Sequence, residues 1–242
     1  MAADFDPRAV KAMVFDTFGT VVDWRGSIIA EGESYWKPQK GMDIDGPAFA
    51  DAWRGKYGPS MNKVRSGELP WTQLDDLHRL ALDLNLAEFG VSHLSEADKQ
   101  QLNFVWHRLN GWPDATSGLT RLKSRYIIGP LSNGNLSLLT EMAKFAGLPW
   151  DCILSCDLFQ HYKPDPETYL GAVKILNLEP GQVMMTAAHA NDLEAARKLG
   201  LRTAYVHRPL ESGPGRERTK PAEGDFDVVA EDFRDMATKL GL

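Results

Sequence analysis

Four short segments carry residues that could do covalent chemistry. Asp16 closes the apolar run Met13-Val14-Phe15, and Thr20 follows in the same "FDTFGT" stretch. Ser132 and Asn133 sit in "LSNGN", and Lys163 opens "KPDPETY", which ends on Tyr169. His189, Asn191 and Asp192 fall in "AAHANDLEAA". A carboxylate is a weak nucleophile in water. Partial desolvation strengthens it, provided a neighbouring cation keeps it ionised. Asp16 could be such a nucleophile, with Lys163 as its cation and the Thr20 hydroxyl fixing one carboxylate oxygen. Each residue also has a plainer reading. Asp16 could cap a helix or sit in a turn, "SNGN" could be only a turn, and Lys163 could be solvated. Asp192 could be the N-cap of its helix, and Tyr169 could be helix core. The joint occurrence in this order is far more specific than any one of them.

Such residues need a scaffold that gathers four strand ends. Short apolar runs recur along the chain: "AMVF", "YIIGPL", "CILS", "VMMTAA", "TAYVH" and, near the end, "FDVVA". Runs this short, bounded by turns, suit strands covered on both faces. Pro130 lacks an N–H for the ladder, so the second strand is expected to end near it. Helical patterns alternate with these runs. "KPDPETYLGAVKILNL" has Asp165 placed as N-cap and Pro166 at the first helical position. "DLEAARKLGL" has acids early, Arg197 and Lys198 late, and Gly200 as a stop. This alternation predicts an α/β fold, a doubly wound, Rossmann-like parallel sheet, with its site at the carboxyl ends of the strands.

Residues 24–110 break the rhythm. They show no strand pattern, and five of the seven tryptophans fall there: Trp24, Trp36, Trp53, Trp71 and Trp106. The expected organisation is an α/β core of residues 1–23 and 111–242, with an all-helical cap inserted at 24–110. Most of the cap's aromatic side chains are expected to be core, and the remainder to wall a cavity. "LESGPGRERTKPAEGDF" is rich in Gly, Pro and charge and reads as a mobile surface loop without chemistry.

Composition excludes several classes. Lys+Arg number 27 and Asp+Glu 33, a net charge of −6. That balance offers no basic stripe for nucleic acid. No apolar run reaches the roughly 18 residues of a membrane helix. The start, "MAADFDPRAV", lacks the basic and apolar segments of a signal peptide. A cytoplasmic protein is expected. Cys152 and Cys156 are too few for a disulfide framework and read as small buried apolar residues, both on one face if their segment is a strand.

"FDTFGTVVD", "LSNGN", "KPDPETY" and "ANDLEAARKLGL" together resemble the haloacid dehalogenase-like hydrolase superfamily. The resemblance covers nearly the whole chain, with the helical insertion in the place of the family's cap. It implies Asp16 as nucleophile, Ser132 as a binder of the transferred group, and Lys163 as the cation that steadies Asp16 and pairs with Asp192.

Most members are phosphatases. They use an acid two residues after the nucleophile and a magnesium site completed by an acid in the fourth motif. Here position 18 is Phe, and the fourth-motif position is Ala188. With Asp16 and Asp192 alone the site looks under-supplied for hard Mg2+, so neither metal nor other cofactor is expected. A halide needs no proton to leave. The chain therefore looks closest to the (S)-2-haloacid dehalogenases. These imply attack of Asp16 on C2 of a small 2-haloacid, an aspartyl ester, its hydrolysis to the (R)-2-hydroxy acid, and a homodimer. Arg54 in "DAWRGKY" resembles the family's halide-binding segment, with Asn133 a second donor and Phe18 a wall that excludes water. Ser132 and nearby N–H groups suit the substrate carboxylate. Tyr169 matches a family tyrosine near the site. The family's Ser and Asn of the last motif are replaced by Ala187 and His189. His189, whose reference pKa lies near neutrality, could position or deprotonate the water. The competing readings are a phosphatase with altered metal ligands and a non-enzymatic member that binds a partner through the cap.

Overall fold

A computed structural model describes residues 5–242, and the first four, which belong to the stretch expected to lack signal-peptide segments, lie outside the described residues. Six parallel strands form one sheet in the order β3-β2-β1-β4-β5-β6. They are β1 (Ala12–Phe15), β2 (Ile127–Ser132), β3 (Leu154–Ser155), β4 (Val183–Ala187), β5 (Arg202–Val206) and β6 (Val228–Ala230). Period-two alternation splits each strand between two cores. Met13, Phe15 and Met184 point into one, and Val14, Val183 and Met185 into the other. Hence the runs are apolar throughout rather than alternating.

The helices follow from the same pattern. Between β1 and β2 lie α1 (Trp24–Glu31), α2 (Lys37–Lys40), α3 (Gly46–Gly55), α4 (Tyr57–Arg65), α5 (Leu74–Glu88), α6 (Glu96–Asn103) and then α7 (Ala115–Lys123). After β2 come α8 (Leu136–Ala146), α9 (Pro166–Ile175), α10 (Ala190–Lys198) and α11 (Phe233–Lys239). Leu119, Met142 and Phe233 place α7, α8 and α11 on one face of the sheet, while Ala172 and Leu193 place α9 and α10 on the other. The sheet is thus doubly wound.

Helices α1 to α6 make up the cap, and Trp36, Trp53 and Trp106 are fully buried in it. Trp106 stacks on His78 at 4.1 Å between ring centroids. Ser95 caps α6 in a reciprocal box: Asp98 N–H donates to the Ser95 hydroxyl at 3.2 Å, and Ser95 N–H donates to the Asp98 carboxylate at 3.1 Å. Ser95→Ala leaves one first-turn N–H without its acceptor. The urea midpoint should fall by an amount equivalent to about 1 kcal/mol, with the slope of the transition unchanged.

Three local expectations are corrected. Strand β2 runs through Pro130, which is in register with Phe15 of β1. Ile128 bonds to Asp151 on the β3 side. Pro130, two residues on, faces that same side, and β3 pairs only with Leu131 and Ser132. No ladder N–H is demanded of the proline. The "CILS" strand shrinks to Leu154–Ser155, so the two cysteines share no strand face. Cys156 is buried, Cys152 is half-buried, and both are free. Thirdly, the segment after β5 is not merely a surface loop. Arg208 anchors its start, donating to Asp114 at 2.7 and 2.9 Å and to the Thr20 carbonyl at 2.9 Å. That anchor sets Glu211 in the interior, 3% exposed.

Candidate active site

Asp16 follows directly on β1, and its N–H donates to Thr186 of β4 at 2.9 Å. The chain then turns tightly, with Val21 N–H donating to the Thr17 carbonyl at 2.9 Å. This turn returns the Thr20 hydroxyl to Asp16 Oδ2 at 2.7 Å. The same hydroxyl accepts from Ala188 N–H at 3.0 Å, tying the β1 and β4 ends together.

Lys163 Nζ donates to Asp16 Oδ1 at 3.0 Å and to Asp192 Oδ2 at 2.5 Å. Its backbone N–H is held by Asn133 Oδ1 at 2.8 Å. The Tyr169 hydroxyl donates to Asp192 Oδ1 at 2.5 Å. Tyr169 therefore acts on Asp192, although it also lines the cavity. Asp192 lies in the first turn of α10, and His189 takes the N-cap position.

His189 lies between two carboxylates. Nδ1 is 2.8 Å from Asp16 Oδ2, and Nε2 is 3.0 Å from Glu211 Oε1. Burial disfavours the imidazolium, but Asp16 and then Glu211 outweigh it and push the His189 pKa up to about 9. In the resting site His189 is a cation that donates from both nitrogens. Burial likewise opposes ionisation of Asp16. The Lys163 and His189 charges override it and hold the carboxyl well below its usual range. Lys163, buried but flanked by Asp16 and Asp192, is held well above its ordinary value. Asp16 is thus ionised and largely dry, the state that the chemistry of a carboxylate nucleophile requires.

Over this floor lies a cavity of about 560 Å3. Asp16, Phe18, Arg54, Asn133, Lys163, His189, Asn191 and Asp192 line it. The Arg54 guanidinium packs over Tyr57 at 4.0 Å, Trp24 at 5.5 Å and Phe18 at 5.8 Å. Its Nη1 is buried with no hydrogen-bond partner among the described residues. An orphaned buried guanidinium N–H is costly and marks a place for an acceptor. Ser132 is not among the lining residues. Its hydroxyl is fully buried and accepts from Gly134 N–H at 3.3 Å.

Sequence reasoning missed Glu211 and Tyr57. Tyr57 lines the cavity and accepts from Asn133 Nδ2 at 3.0 Å. For Glu211 one signal was present: Gly19 in "FDTFGT". Gly19 has φ +83, and a Cβ there would lie 2.1 Å from Glu211 Oε1. The glycine both makes the turn and admits the carboxylate.

The donor set does not suit a hard divalent cation. An ammonium bridges Asp16 and Asp192, residue 188 is alanine, and Phe18 is buried where a second acid would stand. Among the described residues no three of His, Cys, Asp and Glu converge on a metal position.

A family model described as haloacid dehalogenase-like hydrolase matches residues 10–200. A solved defluorinating L-2-haloacid dehalogenase is 46% identical, with a TM-score of 0.92 and 96% of each chain covered. The Xanthobacter autotrophicus L-2-haloacid dehalogenase with chloropropionic acid covalently bound is 25% identical, with a TM-score of 0.75, covering 95% of this chain and 97% of that one. The (S)-2-haloacid dehalogenase 4A of Burkholderia cepacia is 29% identical over 83% of this chain and 84% of its own length.

Proposed function

The chain belongs to the haloacid dehalogenase-like hydrolase family, and we propose that it hydrolyses short (S)-2-haloalkanoic acids to (R)-2-hydroxy acids, through an ester on Asp16 and without metal. The observation that carries this reading is a buried, ionised Asp16 sharing one cavity with the orphaned N–H of Arg54, while Phe18 stands where a leaving-group acid would be. Such a site supplies a nucleophile and an anion receptor, but no proton for an alcohol leaving group.

In the first step Asp16 Oδ1 attacks C2 from the side opposite the halogen. The C–O bond forms, the C–halogen bond breaks with inversion, and the halide leaves with the electron pair. Arg54 Nη1 receives the charge as it develops. Oδ1 suits this role because, among the described residues, only Lys163 holds it, whereas Thr20 and His189 hold Oδ2. In the second step water adds to Cγ of the ester. One water proton passes to His189, and the other ends on the departing hydroxy acid. Asp16 is regenerated, and one halide and one proton are released per turnover. The helical segment 24–110 acts as the cap that closes the site. Asn133 and Asn191 are further donors on the cavity wall.

Incubation with (S)-2-chloropropionate in the presence of a chelator should release chloride and (R)-lactate. Racemic or (S)-lactate would rule out a single inversion at C2 followed by hydrolysis at Cγ. Silence across chloro-, bromo- and fluoroacetate would remove the reading, and magnesium-dependent hydrolysis of p-nitrophenyl phosphate in its place would establish the phosphatase alternative. Arg54→Met should lower kcat/KM about a hundredfold. The loss should be greater for fluoroacetate than for bromoacetate, because fluoride concentrates the departing charge.

A further inference from the structure

The segment that delivers Glu211 is fastened at two ends. Arg208 fixes its start to Asp114 and Thr20 on the core side. Its far end is fastened to the cap. Arg216 Nη2 donates to Asp51 Oδ2 at 2.6 Å, and Asp51 also receives Arg25 at 2.8 and 3.1 Å. Gly213, with φ +86, lets the backbone pass so close to Arg25 that a Cβ would lie 2.6 Å from Nη1. Two residues past the clasp, Arg218 turns back onto Glu211 Oε2 at 3.3 Å. Trp24 of α1 approaches Glu211 from the cap side, its Nε1 donating at 3.4 Å.

Asp51, on α3, is an acid in a cavity meant for an anion. It makes no contact with Asp16, Lys163 or His189 among those above. Its two arginines neutralise it, and one of them, Arg216, ties α3 to the strap that carries Glu211. We propose that the Asp51–Arg216 clasp, braced by Arg25, positions Glu211 against His189 and so serves the ester-hydrolysis step rather than the alkylation step. Asp51, Arg25 and Arg216 are positioning residues in this scheme. Alkylation needs Asp16, Lys163 and Arg54, and among the described residues none of these makes a hydrogen bond to the strap. Hydrolysis needs the His189 ring aimed and backed by a carboxylate. The clasp therefore couples cap placement to the second half of the reaction alone.

This inference rests on the dehalogenase reading, and rapid-quench kinetics with (S)-2-chloropropionate tests both separately. Asp51→Asn and Arg216→Met each keep the pre-steady-state burst of chloride at its wild-type rate. Each lowers steady-state turnover about tenfold, the effect of a modest misplacement of a catalytic group. The quenched protein gains the mass of the haloacid less hydrogen chloride on the peptide containing Asp16. Arg216 is half exposed, so its replacement leaves the interior intact. The double variant is no slower than either single one, because both break the same clasp. A burst and a steady state reduced together would overturn the inference, as would both unchanged. No chloride from the wild-type protein would overturn the dehalogenase reading instead.

Discussion

Asp16→Asn yields a folded protein that releases halide at least about ten-thousandfold more slowly than the wild type, the scale seen when a covalent nucleophile is removed. The amide matches the carboxylate in shape and keeps one of its two oxygens, so it retains an acceptor for Lys163 at the Oδ1 position or for Thr20 at the Oδ2 position. What is lost is the charge that attacks carbon. No acid-linked peptide should be found after quenching, which separates this variant from those that stall later. The same variant reports on His189. Asp16 is the largest of the groups that raise the His189 pKa against its burial. With a neutral amide in its place, the His189 titration followed by NMR should move down from about 9. Turnover comparable with the wild type would end the assignment of Asp16 as nucleophile.

The parts of this site that could be read in the sequence are those carried by local chain geometry. Asp16, Asn133, Lys163 and Asp192 each follow a strand or open a helix, and the parallel sheet brings such ends together whatever lies between them. The strands themselves were legible because both faces are covered, which leaves unbroken apolar runs. Pro130 misled because ladder demand depends on the neighbour's length, which no local pattern encodes. Glu211 misled for a similar reason. It lies in a stretch whose glycines, prolines and charges are also what a mobile loop contains. Its burial comes from Arg208 and Asp114, which are 94 residues apart in sequence. Arg54 was legible as a residue, but its value lies in an unpaired N–H above three aromatic rings. That is a property of packing rather than of sequence.

His189→Asn should separate the two half-reactions most sharply. It installs the residue that the resemblance leads one to expect, but without the serine two residues earlier, where this chain has Ala187. The resting site holds His189 as an imidazolium, so a base is absent while Asp16 is charged. Alkylation removes the Asp16 charge and the largest force that keeps the ring protonated. Ester formation itself thus frees His189 to lose its proton to solvent and accept one from water, with Glu211 stabilising the cation that results. In the asparagine variant the chloride burst persists, hydrolysis slows by about a hundredfold to ten-thousandfold, and the ester accumulates on Asp16. The sign of the pH dependence follows. In the wild type, the ester form requires neutral His189, so kcat falls on the acid side, where the ring of the esterified enzyme is still protonated. The ester accumulates there. The value of kcat/KM, governed by alkylation, stays level through that limb, because Asp16 remains ionised far below it. Folding stability runs the opposite way. A raised pKa means that the His189 contribution is full below its unfolded value of about 6.5 and is lost as pH climbs through about 9. Loss of the acid limb of kcat in His189→Asn, together with a persistent burst, would fix His189 as the base of the second step. A burst that vanishes with it would place His189 in the first.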